Sequence, residues 1–118
     1  MTARELNIKL VSAIPEIEEE YRECVSGMDG DDTGAHVVYG SVLVPYIIRL
    51  ANGHCISKLK TCMQFIEKVL SWDDLYSEDV IAVSVIEYLA FSEELKFNVY
   101  SYLGPKSKKI YDEIKKKN

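Results

Sequence analysis

HVVYGSVLVPYIIRL, residues 36–50, is the longest run of large apolar side chains in this 118-residue chain, and it lies between two amphipathic regions. Val37, Val38, Tyr39, Val42, Leu43, Val44, Tyr46, Ile47, Ile48 and Leu50 leave it apolar on nearly every side, which predicts the most buried element, a core helix. Its β-branched residues, Val37, Val38, Val42, Val44, Ile47 and Ile48, also suit a buried strand, and periodicity alone does not separate the two. Pro45 does. In a central strand it removes a ladder hydrogen bond, whereas in the first turn of a helix its missing N–H costs little. The expected helix starts near Gly40 or Ser41, with Ser41 as N-cap, and ends at Asn52–Gly53, where glycine can take the left-handed cap conformation. His36 to Tyr39 then lead in as an extended or short helical piece.

The flanking segments read as helices too. Thr2 and Glu5 have capping-box spacing, and Leu6, Leu10 and Ile14 form one stripe of a first helix that runs to about Ala13. Pro15 suits the first position of a second helix, in which Ile17, Tyr21, Cys24 and Val25 recur at helical spacing. Beyond Gly53, residues 55–72 place Ile56, Leu59, Cys62, Met63, Phe65, Ile66, Val69 and Leu70 on one broad face. Ser77 is a candidate N-cap for a helix over Val80–Phe91, where Ser84, Glu87 and an acidic first turn favour helix over strand. Ser92–Glu94 would open another helix with a Leu95, Val99, Tyr102, Leu103 stripe, ended by Gly104–Pro105. A last one covers about Ser107–Lys116, with Ile110, Tyr111 and Ile114 facing inward. The expectation is an all-α fold: a single domain over residues 1–118, with six or seven helices in an antiparallel bundle or a short stack of helical hairpins.

Composition fits such a domain, with 47% hydrophobic and 28% charged residues. A chain of this size buries roughly two-thirds of its unfolded surface without disulfides or metals. No apolar run reaches the roughly 18 residues of a membrane span, and MTARELNIKL lacks the apolar block of a signal peptide. A cytoplasmic protein is expected. The three cysteines are an odd number, which argues against a secreted disulfide framework. Cys55 and Cys62, on one predicted helix, would sit about 10.5 Å apart along its axis, too far for a bridge or a shared zinc. All three cysteines are expected to be buried or half-buried thiols.

No reaction is legible. SGMDGDDTG, residues 26–34, invites a calcium reading, with Asp29, Asp31 and Gly34 at the first, third and sixth positions of an EF-hand loop. Thr33 holds the fifth position, however, and Gly40 stands where a bidentate glutamate is required. His36 and His54, the two histidines, belong to no local nucleophile, metal or phosphate motif; a serine or cysteine could join them only through the fold. Neither enzyme activity, metal nor cofactor is expected.

Charge carries more information. Residues 16–32 hold eight acidic side chains against Arg22, a net of −7, and residues 73–94 hold seven with no lysine or arginine, again −7. Residues 106–118 carry six lysines against Asp112 and Glu113, a net of +4. Two acidic regions in a chain of net charge −5 disfavour direct nucleic-acid binding and suit a cationic protein surface. Tyrosine is abundant, with eight in the chain, and it anchors many protein interfaces. Spacing directs Tyr21, Tyr46 and Tyr88 to the core and leaves Tyr76, Tyr100 and Tyr111 as surface candidates. The candidate partner-binding residues are therefore Glu18, Glu19, Asp29, Asp31 and Asp32 in one region, and Asp73, Asp74, Tyr76, Glu78 and Asp79 in the other.

The succession AIPEIEEEY, acidic glycine-containing loop, HVVYGSVLVPYIIRL, FIEKVL, VSVIEYLAF and YLGPKSKKIYDEI resembles a family of small bacterial helical domains of poorly defined activity. Some of its members are similar to immunity proteins of contact-dependent or polymorphic toxin systems. The resemblance covers most of the chain through scaffold positions, so it transfers no binding residue. It implies an inhibitor of a cognate toxin, often a nuclease, that covers the active site or the substrate path. The alternative is a helical adaptor that binds a different protein or its own copies.

Overall fold

The residues of the 36–50 run lie within one continuous helix, residues 35–52. The computed structural model describes residues 1–96 and 98–117. Among these there are six helices and no strand: α1 (Ala3–Ala13), α2 (Glu18–Ser26, entered through a 3₁₀ turn at Pro15–Ile17), α3 (residues 35–52), α4 (Ile56–Leu70), α5 (residues 75–91) and α6 (Pro105–Lys117). Helix α3 packs against α1, α2, α4 and α5, and α6 lies across α4 and α5. The all-α expectation holds. The radius of gyration, 13.3 Å, matches the roughly 13.5 Å of a single compact body of this length. Among the described residues, no helix is long and apolar enough to cross a membrane.

The core is where the apolar stripes predicted it. Leu6, Leu10 and Ile14 of the first stripe, Ile17 and Tyr21 of the second, and Leu59, Cys62, Met63, Phe65, Ile66, Val69 and Leu70 of α4 are buried together with most of α3. The Tyr39 hydroxyl, inside this core, donates to the Leu6 carbonyl at 2.7 Å. Thr2 and Glu5 form the reciprocal capping box at the start of α1.

Five local expectations are corrected. First, α3 begins at Ala35, so Pro45 lies in mid-helix. The chain accommodates it by widening to a π segment at Tyr39–Leu43, where the Val44 N–H reaches back five residues to the Tyr39 carbonyl. In a π turn a carbonyl accepts from the fifth residue onward, so a residue without an N–H at the fourth is tolerated. Second, α5 starts at Leu75 rather than near Val80. Asp74 is its N-cap in place of Ser77, and the Asp74 carboxylate accepts from the Ser77 N–H at 2.9 Å. A second π segment follows at Ala82–Ile86. Its extra residue rotates the rest of α5 by about 100°, so Leu89 and Ala90 turn inward and Tyr88, expected in the core, is 60% exposed.

Third, Gly53 has φ −88° and it is His54 that is left-handed, at φ +55°. The His54 N–H donates to the Ala51 carbonyl and the Cys55 N–H to the Leu50 carbonyl, the pairing of a Schellman ending shifted one residue past the glycine. Cys55 is consequently carried outside the helix pair, exposed, while Cys62 is buried and Cys24 half-buried. Fourth, the described residues between Ser92 and Leu103 form no α-helix, only a 3₁₀ turn at Tyr100–Tyr102; Phe97 lies outside the described residues. The Asn52 side chain supplies the backbone partners there, donating to the Glu94 carbonyl at 2.9 Å and accepting from the Lys96 N–H at 2.8 Å. Fifth, Gly104–Pro105 starts α6 instead of ending a helix. Glu67 reaches over from α4 and its carboxylate accepts from the Lys106 and Ser107 N–H groups at 2.8 and 3.2 Å.

Candidate functional site

The two acidic segments, more than forty residues apart in sequence, are joined at one end of the molecule. The Tyr76 hydroxyl accepts from the Ala35 N–H at 3.1 Å, which ties the start of α5 to the start of α3. The beginning of α1 bridges the two segments: the Met1 ammonium contacts Asp74 at 2.7 Å, while the Arg4 guanidinium lies 3.3 Å from Asp32 and 3.9 Å from Asp31. Asp31, Asp32 and Asp74 thereby meet two cations, Arg4 and the Met1 ammonium, and Asp29, Asp73, Glu78 and Asp79 lie in the same two segments.

The segment carrying the first three is held rigidly. Asn7, fully buried on α1, donates to the Asp31 and Thr33 carbonyls at 3.0 and 2.7 Å. Thr33 Oγ1 accepts from the Asp29 N–H at 3.1 Å and donates to the Gly30 carbonyl at 2.7 Å, closing the turn on itself. The Tyr21 hydroxyl donates to the Asp31 carboxylate at 2.6 Å. Burial first, and then that carboxylate, push the Tyr21 phenol above its ordinary range.

The ten sequence-derived candidates divide by what the fold does with them. Asp31, Asp74 and Tyr76 are half-buried and engaged within the chain. Hydrogen bonds from the Met1 ammonium and from the Ser77 hydroxyl and N–H draw the Asp74 carboxyl down to about 2. Asp29, Asp73 and Glu78 are exposed at the acidic end; Asp32 and Asp79 are exposed too, beside Arg4 and His36 respectively. Glu18 pairs with Arg22 on its own helix at 3.4 Å, and Glu19 is exposed next to it on α2. A partner approaching this end would meet Asp29, Asp32, Asp73, Glu78 and Asp79 first.

The fold also assembles one grouping that sequence order hides. His36 Nδ1 lies 2.6 Å from the Ser84 hydroxyl and its Nε2 lies 3.1 Å from Asp79. With the proton on Nε2, Ser84 donates to Nδ1 and the ring donates to Asp79, so both contacts are satisfied by neutral histidine. The Ser84 hydroxyl lies inside the α3–α5 junction, next to Gly40, whose position would bring a Cβ to 3.6 Å from the Ser84 carbonyl. The grouping acts as a polar cross-link between the first turn of α3 and the middle of α5. Spacing gave no signal for it, because 48 residues separate its two ends.

A family model described as "Domain of unknown function (DUF7674)" matches residues 8–118, and the chain belongs to that family. No curated protein and no solved structure matches the chain.

Proposed function

We propose that this member of the DUF7674 family is an immunity protein, which binds a cognate bacterial toxin domain through its acidic end and neutralises it without turnover. One observation carries the reading: two acidic segments distant in sequence are brought together at one end of the helical frame through Tyr76, Arg4 and the Met1 ammonium. A nuclease must present positive charge to its substrate, and an acidic inhibitor can occupy that surface after electrostatically steered association. The sequence resemblance to a family of small helical domains, some of whose members are similar to immunity proteins, points the same way. The toxin's active site or its substrate path is the surface to be covered.

The test begins with the tagged chain purified from its native host, with mass spectrometry of whatever accompanies it in stoichiometric amount. A basic toxin domain is the expected partner. Reversal of Asp29, Asp73 and Glu78 to lysine, all exposed, should then slow association by about tenfold or more and flatten its salt dependence. Unchanged association rates in that variant would remove the acidic end from the mechanism. A second reading, an adaptor for a non-toxin protein or for copies of itself, is favoured by the exposed Leu75, Val83, Tyr88 and Phe91 along α5, and a non-toxin partner in the same purification would select it.

A further inference from the structure

Four of the exposed large apolar side chains, Leu75, Val83, Tyr88 and Phe91, lie along α5, with relative exposures of 86%, 45%, 60% and 46%. The last three line a trough of about 820 Å³ between α5 and α3, whose other wall is Gly40, Val44, Pro45 and Ile48. The trough is open along its length rather than enclosed, and its charged lining is Glu87, Glu93 and Glu94. No lysine or arginine occurs between Lys68 and Lys96. Gly40 and Ser84, one from each π segment, face one another where the two helices approach, and the π segment in α5 turns Tyr88 out of the core.

We propose that this trough is the docking site for a cationic amphipathic helix of a protein partner. Its apolar side chains would seat on Val44, Ile48, Val83 and Phe91, and its lysines or arginines would reach Glu87, Glu93 and Glu94. Charge complementarity selects this occupant: an apolar floor with a carboxylate rim excludes acidic helices and favours basic ones. Val83 to Phe91 spans about 12 Å of helix, which accommodates about two turns of a partner helix. The Phe91 ring already accepts one cation from outside the trough lining, since Lys115 Nζ of α6 lies 4.7 Å from its centroid. A partner's cation could make the equivalent contact with the exposed Tyr88 ring. The inference rests on the reading of the chain as a binder of a cationic protein, and it adds a second contact site on the helix that begins at the acidic end.

The experiment needs no identified partner. A fluorescein-labelled leucine–lysine peptide with helical spacing, about 18 residues long, is titrated with the full chain and followed by anisotropy, with chemical-shift mapping of the complex. The controls are a scrambled peptide of the same composition and the leucine–glutamate counterpart. Saturable binding of the patterned peptide is expected, with shifts centred on Val44, Ile48, Val83 and Phe91. Val83→Arg with Glu87→Lys should weaken it about tenfold or more at unchanged helical circular dichroism. Reversal of Asp29, Asp73 and Glu78 should leave most of the binding, which separates failure of the trough from failure of the acidic end. Equal binding of the scrambled peptide, or shifts centred on the acidic end, would overturn the proposal. So would a sedimentation result in which the free chain self-associates through this face.

Discussion

Glu67 caps a helix to which it does not belong, and removing that cap should produce a loss that depends on Gly104. The Gly104 carbonyl accepts the first intrahelical bond of α6, from the Lys108 N–H at 2.9 Å. Pro105 has no N–H, and the next two donors, on Lys106 and Ser107, both end on the Glu67 carboxylate, as does the Ser107 hydroxyl at 3.0 Å. All the donors at this helix start are thus accounted for, two of them by a charge that also complements the helix dipole. Glu67→Gln keeps the volume but leaves one oxygen where two accepted, and places an amide donor against another donor. A cap is worth about 0.5–2 kcal/mol, and Ser107 is fully buried, so the expected loss is about 1–2 kcal/mol for glutamine and about 2–3 kcal/mol for alanine. At roughly 4 °C per kcal/mol, Glu67→Gln should melt about 4–8 °C below the parent.

Gly104 supplies the control. A Cβ there would lie 2.5 Å from the Glu67 carboxyl, so Gly104→Ala must displace the cap. In the parent it should cost about as much as Glu67→Ala, and in the Glu67→Ala background much less, giving a coupling of about 1–2 kcal/mol in urea denaturation. Additive losses, or a Glu67→Gln variant melting within about a degree of the parent, would refute the capping account.

Acid should act on the fold through Asp74. Its folded value, about 2, lies below the ordinary 3.8, so the stabilisation is present above about pH 4 and is lost as pH falls through 2; Asp74→Asn should flatten that limb of a urea-midpoint profile, and parallel profiles would sink the idea. Asp73 is left-handed, at φ +52°, and Asp73→Gly should stabilise the chain by about 0.5–1 kcal/mol while removing one charge from the proposed interface, an outcome excluded by a lower melting temperature. Iodoacetamide should label exposed Cys55 first and leave Cys62, buried and pushed up to about 12, unmodified until the chain unfolds; mass spectrometry showing early labelling of Cys62 would contradict its placement.

The all-helical architecture follows from periodicity and burial that neighbouring residues already encode. The Leu6–Leu10–Ile14 stripe, the broad face of α4 and the Thr2–Glu5 capping box need only local spacing to be read, and the structure keeps them. Acidity of the two segments is likewise a property of composition. Their merger into one surface is not, because it depends on Tyr76 meeting the Ala35 N–H and on Arg4 and Met1 bridging between them. Gly104–Pro105 makes the same point physically. The dipeptide is equally consistent with a helix stop and a helix start, and Glu67, 39 residues before Lys106, decides between them by supplying the acceptors. Pro45 and Tyr88 were misplaced for a related reason. A π turn changes the period on which stripes are counted, and both π segments lie where α3 packs against α5. The sequence alone therefore determined what is apolar, what is charged and which stretches can be helical; the tertiary structure decided where each helix starts and which charges share a face, because those depend on hydrogen-bond partners that distant residues provide.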